Sequence, residues 1–408
     1  MRKIIILPII ALLVISGCGG NTSNVPTSSE VPTPISTPTG EPSSNDGQIK
    51  EYLPVGFALQ RSCQKNAPCQ INGESYADGS ELILMPASGE TAVSIYLAGF
   101  GEVLHVAGPV DFSHPEELVY IYRALETDQI HFIKNGQVTQ SLNGQNIARF
   151  IGAAAQQVLA MTYLPGTTDS GNSEIQVYPG AGPLVTAPGP EFLLFPVAIQ
   201  GNGHLPPDNQ YVSLWYTHEP YGIGGDIVFR PFGGLYYFLG NGERHEEFLP
   251  QEAQFSALSP DSNLTAFTYP PAGGIVIRNF NTGKETEVPL LEGNDRGAGD
   301  AVFSPDSKKL AWMEAGGSLA YGDLTSTIRI ATTAGEILAE FSADTLKQAS
   351  GFSNVITRPV GWIDGERVLL QVHVTRDYGD MQLLIARTDG TIEDTVLTGR
   401  FIGLVYEE

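Results

Sequence analysis

Basic residues are scarce in this chain. Lysine and arginine number 22 against 45 aspartates and glutamates, a formal net charge of −23. A surface this acidic repels phosphate backbones and anionic headgroups, which argues against nucleic acid as a partner. Cysteine is rarer still, with three among 408 residues. No His or Cys cluster accompanies them, so no metal site is expected. The catalytic signatures are missing too. The nearest strings to a G-x-S-x-G elbow, Gly171-Asn172-Ser173 and Gly351-Phe352-Ser353, fail at the last position. No H-E-x-x-H and no EF-hand loop occurs. The seven histidines are scattered singly, with His131 and His373 inside strand-like runs. No catalytic residue and no cofactor is therefore assigned. Helical periodicity is also lacking.

The N-terminal apolar run, Ile4–Ile15, falls short of the ~20 residues that span a bilayer. Arg2 and Lys3 precede it, and Ile15-Ser16-Gly17-Cys18 follows. That order is a signal peptide, and its end resembles a bacterial lipobox. The resemblance implies cleavage before Cys18 and lipidation of that cysteine, with residues 1–17 removed. Several acyl chains at ~0.8 kcal/mol per buried CH₂ hold a protein on a membrane stably. Residues 18–48 are Ser, Thr, Pro, Asn and Gly with almost nothing apolar. They are expected to form a disordered tether, leaving 49–408 as the folded domain. The expected location is the cell envelope, outside the cytoplasm, on the membrane through the N-terminal lipid. The two remaining cysteines, Cys63 and Cys69, then sit in an oxidising compartment and are expected to pair.

What the folded part has in abundance is strand and turn. Gln254–Tyr269 and Ala301–Glu314 each place Ser-Pro-Asp-Ser between short apolar runs. Proline pre-sets the turn, and Ser and Asp side chains can bond its backbone N–H groups. Pro260, Asp261, Pro305 and Asp306 are assigned to these turns, with Trp362 and Asp364 as their counterpart in the last unit. Turn glycines between β-rich runs follow at Gly89, Gly136, Gly180, Gly233, Gly283, Gly335 and Gly390. Their spacing of about 50 residues, with four short strands each, is the signature of a β-propeller. The expected fold is all-β, a single propeller of four-stranded blades. Seven blades are expected, the first completed by the C-terminal run Phe401–Tyr406, with six as the alternative.

Phe255–Asp261 and Phe303–Asp306, each followed by a Leu, Ala and aromatic strand, resemble the repeat of TolB-type, WD-repeat-like bacterial propellers. That family has glycine after Pro-Asp, where Ser262 and Ser307 stand here. The resemblance implies scaffold or interaction work. One face of such a meander carries tight turns and the other carries the longer segments, here Leu164–Ser173, His218–Gly225, Leu291–Asp300, Ala315–Ser326, Asp344–Arg358 and Thr375–Gly379. The long-loop face is the expected binding surface, with Tyr221, Tyr321 and Tyr378 as aromatic anchors. The expected function is a non-catalytic binding or scaffold module for a protein, peptide or glycan. The alternative is an extracytoplasmic propeller enzyme acting on polysaccharide through two carboxylates from different blades.

Overall fold

The computed structural model describes residues 53–406 except 108–111, 113, 115–117, 145–146, 155–156, 164–172, 179–182, 187–193, 200–213, 219–231, 239–243, 246–248, 250–252, 262, 270–272, 292–295, 318–324, 353–355 and 374–380. The chain divides into two units, Met1–Lys50 and Glu51–Glu408. Cys18 and the tether lie outside the described residues.

In chain order the strands are β1 (Gly56–Ser62), β2 (Cys69–Ile71), β3 (Glu74–Tyr76), β4 (Ser80–Pro86), β5 (Val93–Leu97), β6 (Gly101–Ala107), β7 (Val119–Ala124), β8 (Gln129–Lys134), β9 (Gln137–Asn143) and β10 (Ile147–Ala154). There follow β11 (Gln157–Tyr163), β12 (Ser173–Tyr178), β13 (Pro183–Thr186), β14 (Leu194–Ile199), β15 (Leu214–His218), β16 (Phe232–Phe238), β17 (Arg244–His245), β18 (Gln254–Leu258), β19 (Leu264–Thr268), β20 (Ile275–Asn279) and β21 (Glu285–Val288). The last are β22 (Arg296–Phe303), β23 (Lys309–Gly316), β24 (Thr325–Thr332), β25 (Ile337–Phe341), β26 (Ile356–Trp362), β27 (Arg367–His373), β28 (Met381–Arg387), β29 (Ile392–Thr398) and β30 (Arg400–Val405). One helix, α1 (Ala343–Ser350), sits between β25 and β26.

These strands form antiparallel meanders. Five sheets have four strands each: β30-β1-β4-β5, β6 to β9, β10 to β13, β22 to β25 and β26 to β29. A sixth, of eight strands, runs from β14 to β21, and β2 and β3 form a separate ribbon. The C-terminal strand β30 pairs with β1, so the two ends of the folded unit share one sheet. This closing sheet makes the architecture that of a β-propeller, as the repeat spacing predicts.

Burial along the strands follows from stacking sheet on sheet. The middle strands β4, β23 and β27 are buried on both faces, while the outermost strands β9 and β29 alternate exposed and half-buried residues. A strand covered on both sides reads as a continuous apolar run, and an outer one reads as polar. The core is accordingly a series of layers between neighbouring sheets. Met313, Ile328 and Ile330 meet Val368, Leu370 and Leu384 in one layer, and Phe57, Leu59 and Ile83 meet Leu369 and Leu383 in another.

Each innermost strand carries an irregularity at the same place. The pairing of first with second strand skips at Ile402, Leu104, Ile151, Val197, Ser256 and Val360, and the β22 pairing does so at Asp300 and Ala301. A bulge bends its strand and increases local twist. Repeated at each inner strand, it lets the sheets curve toward a common axis.

The outer-turn glycines behave as the spacing predicts at Gly89, Gly136, Gly283, Gly335 and Gly390, with φ of 82°, 67°, 67°, 91° and 87°. Gly180 lies outside the described residues. Gly233 is a correction: it pairs with His218 and Gln254 inside β16 rather than turning the chain. The aromatic run Phe232–Phe238 outweighs its two glycines and extends as a strand. The supposed loop Asp344–Arg358 is also corrected. It holds most of α1, capped by the Ser342 hydroxyl at its start and by Gly351 with φ of 74° at its end. A helix of eight residues is too short to show a convincing period. The supposed loops Leu291–Asp300 and Ala315–Ser326 shrink for a related reason, since β22, β23 and β24 run into them.

Candidate functional site

The Ser-Pro-Asp turns are built as their residues dictate. In the turn between β18 and β19, the Ser259 hydroxyl donates to Asp261 Oδ1 at 2.6 Å. Asp261 Oδ1 also accepts the Asn263 N–H at 3.0 Å, and Ser259 Oγ accepts the Leu264 N–H at 2.9 Å. In the turn between β22 and β23 the same bonds link Ser304, Asp306, Lys308 and Lys309 at 2.6, 3.1 and 2.9 Å. Ser307 adopts a left-handed φ of 57° where the resembled family has glycine; Ser262 is outside the described residues. Asp364 serves the turn after Trp362, accepting the Glu366 and Arg367 N–H groups at 2.8 Å each. For Asp306, burial pushes the carboxyl pKa up, but the Ser304 hydroxyl and the Lys308 N–H outweigh it and hold it below the usual range.

A cavity of about 320 Å³ opens at the end of the inner strands that carries these turns. Its walls include Phe255, Phe303, Trp362, Leu404 and Tyr406, with Pro260 and Pro305 among the turn residues beside them. Trp362 is anchored there, its indole N–H donating to the Val302 carbonyl at 3.0 Å. Ser256 is occupied, since its Oγ accepts the Ala301 N–H at 3.0 Å. The described lining holds no Asp, Glu, His, Lys or Arg. This cavity lies on the side of the tight turns, opposite the expected binding face.

Ionisable groups gather instead on β22 to β27. Glu314 on β23 is fully buried and accepts from Arg329 at 2.6 Å, from the Trp312 indole at 3.3 Å and from the Leu291 N–H at 3.0 Å. Arg329 also donates to the Pro289 carbonyl at 2.7 Å and to Glu340 at 3.0 Å. A buried pair so fully bonded is a structural tie between the β18 to β21 strands and the next sheet. Nearby, Arg358 pairs with Asp300 at 3.3 Å. Half-buried His373 at the end of β27 has its pKa lowered to about 4, by burial first and then by Arg358. Asp300 is thus spoken for by an arginine. Among the described residues no group of three His, Cys, Asp or Glu could hold a metal ion.

The expected anchors Tyr221, Tyr321 and Tyr378 all lie outside the described residues. On the long-loop face the cysteine pairing is as expected, while the ribbon it closes and the apolar patch beside it were not foreseen from the sequence. Between β1 and β4 the chain projects as the β2–β3 ribbon, and a Cys63–Cys69 disulfide closes its base. Cys63, Cys69 and Ile71 make a small buried cluster; the Tyr76 and Tyr96 rings pack against it and stack on each other with centroids 3.9 Å apart. Beside the ribbon, the link from β5 to β6 exposes Phe100, and the β7–β8 turn exposes Leu125. A bare aromatic next to Gly99 was the only sequence signal for this patch. Among the described residues no helix is long and apolar enough to cross a membrane.

No known family profile matches the chain, and no curated protein matches it. Solved structures similar to it include Hsv2 of Kluyveromyces lactis, at 9% identity over 83% of this chain and 99% of that one, with a TM-score of 0.39. A protein of Bacteroides uniformis provisionally assigned as a 6-phosphogluconolactonase is 11% identical over 85% and 98%, with a TM-score of 0.42. One of Agrobacterium tumefaciens provisionally assigned as TolB is 14% identical over 66% and 86%, with a TM-score of 0.34. Likenesses at this distance carry no argument about activity, substrate or partner.

Proposed function

We propose that this protein is a membrane-anchored extracytoplasmic lipoprotein whose propeller, TolB-type in its turn repeats, is a non-catalytic binding or scaffold module for a protein, peptide or glycan. Seven blades fit it best. Five separate four-stranded sheets plus an eight-stranded sheet divided between β17 and β18 make seven meanders, and seven inner strands carry the bulge. Anchorage rests on the charged start, short apolar run and lipobox-like Ile15–Cys18. The Cys63–Cys69 disulfide agrees with an oxidising compartment.

The observation that carries the binding reading is the exposure of Phe100 beside Leu125 on the long-loop face, where the disulfide-closed ribbon also projects. Polysaccharide hydrolysis needs two carboxylates roughly 5–10 Å apart across a cleft. The described Asp300 and Glu314 are committed to Arg358, Arg329 and a backbone N–H, and the cavity beside the Ser-Pro-Asp turns has no Asp or Glu among its described walls. The test is capture from envelope extract by the immobilised full-length protein, with mass spectrometry and sugar analysis of what is retained. A specific protein or glycan held by the native chain, but released when Tyr221, Tyr321 and Tyr378 are all replaced by alanine, supports the module and its face. Retained glycan that is then shortened overturns the non-catalytic reading. Lipid labelling that persists in Cys18→Ala overturns the anchor.

A further inference from the structure

We propose that the long-loop face where the closing sheet meets β6 to β9 docks a protein segment carrying lysine or arginine next to an apolar side chain. This rests on the binding-module reading above and names a partner chemistry for it. Phe100 is 65% exposed and Leu125 58%, and they are neighbours: the Leu125 N–H donates to the Phe100 carbonyl at 3.1 Å. Exposed large apolar side chains scattered singly need no explanation, whereas adjoining ones on a loop face do.

The platform beneath them is fixed. The Tyr122 hydroxyl donates to the Gly99 carbonyl at 3.4 Å, and Gln60 Nε2 donates to the Gly101 carbonyl at 2.8 Å. Four residues before Phe100, Tyr96 stacks on Tyr76 of the disulfide-closed ribbon. A surface held this way loses little freedom when it is covered.

Charge selects the occupant. Glu126 adjoins Leu125, and Glu74 and Asp78 stand on the ribbon side against the Tyr76–Tyr96 stack; all three are exposed. Glu74 accepts from the Tyr76 hydroxyl at 2.5 Å and Asp78 from the Tyr96 hydroxyl at 3.1 Å, which orients both carboxylates without neutralising them. The neighbouring arginines are already engaged, Arg61 with Glu81, Arg123 with Asp128 and Arg400 with Glu102. Lys65 at the ribbon's base is an exposed cation, outnumbered by the three carboxylates. An apolar centre with an acidic rim complements a cationic, apolar segment. A second copy of this chain, at −23, and an anionic membrane are both repelled.

The experiment uses the full-length protein and a fluorescent peptide of alternating lysine and phenylalanine, with a glutamate and phenylalanine peptide as its match. Binding is read by anisotropy at low and high salt. The lysine peptide is expected to bind and the glutamate peptide not to. Phe100→Ser with Leu125→Ser should weaken binding about tenfold or more. Glu74→Gln with Asp78→Asn and Glu126→Gln should weaken it and flatten its salt dependence. Val396→Ser, which alters an exposed apolar residue on β29, is the control and should change nothing. Unchanged circular dichroism and unfolding midpoints show that the variants are folded. Equal binding of both peptides, or an affinity indifferent to Phe100 and Leu125, overturns the proposal. Loss of binding in the Tyr221, Tyr321 and Tyr378 triple variant alone would overturn it while leaving the binding-module reading standing.

Discussion

Asp306 shows how much one turn carboxylate carries. It accepts a hydroxyl and a backbone N–H within four residues, and Lys308 stands 3.6 Å away. Asp306→Ala leaves both donors short of a partner and should cost about 1–2 kcal/mol, read as a lower urea midpoint at unchanged slope. Its lowered pKa, like that of Asp364, fixes a sign. Stability from these groups is fully present above the unfolded carboxyl value near 4 and is lost as pH falls through the lower folded value. His373 acts in a different window. Its folded pKa of about 4 lies below the ordinary 6.5, so below pH 6.5 the unfolded chain takes up a proton that the native site refuses. Stability should therefore decline from pH 6.5 to about 4, by on the order of 1–3 kcal/mol, and level off below. His373→Gln should flatten that stretch of the midpoint-against-pH curve. Glu314 is the residue least open to change. Glu314→Gln removes the charge from a fully buried site facing Arg329 and should cost about 3–5 kcal/mol in denaturant unfolding.

The ribbon and the helix illustrate what an element contributes. The Cys63–Cys69 bond closes a loop of only six positions, so chain entropy gives it about 2 kcal/mol. That stabilisation is local, because the buried cluster at its base is small and the sheets on either side are paired without it. Cys63→Ser with Cys69→Ser should leave the main unfolding transition in place. It should also open residues 62–79 to limited proteolysis, seen as a discrete nick in a chain that still unfolds cooperatively. Helix α1 is held differently, with Ser342 and Gly351 capping it and Leu346 fully buried against the β22-to-β29 core.

At the scale of the molecule, closure decides stability. β30 brings Arg400 to Glu102, 298 residues away in sequence. Gln371 and Gln60 brace the same region, the first on Gly399 and Phe401, the second on Gly101 and Val103. Without β30, the inner edge of β1 would present unpaired backbone groups and the layer of Phe57, Leu59 and Leu404 would open. A chain ending at Thr398 should lose its single cooperative transition by circular dichroism. Gln60→Leu should cost about 1–3 kcal/mol by stranding the Gly101 carbonyl and the Val103 N–H.

Local chemistry was legible in the sequence. The Ser-Pro-Asp turns, the outer-turn glycines, the strand runs and the closing C-terminal strand all depend on residues within a few positions or on a regular spacing. The cysteine pair was legible for the same reason, being six residues apart. The bulge on each inner strand, the burial of Glu314, the bracing by Gln60 and the exposure of Phe100 beside Leu125 were decided only by the tertiary structure. Each depends on which sheets stack and on what they leave uncovered. Glu314 in isolation reads as a solvated charge, and only Leu291, Trp312 and Arg329 converging on it make it a core residue. Gly233 failed as a turn marker on the same ground: a glycine turns the chain where flanking strands leave it room, and here its neighbours carried the strand through.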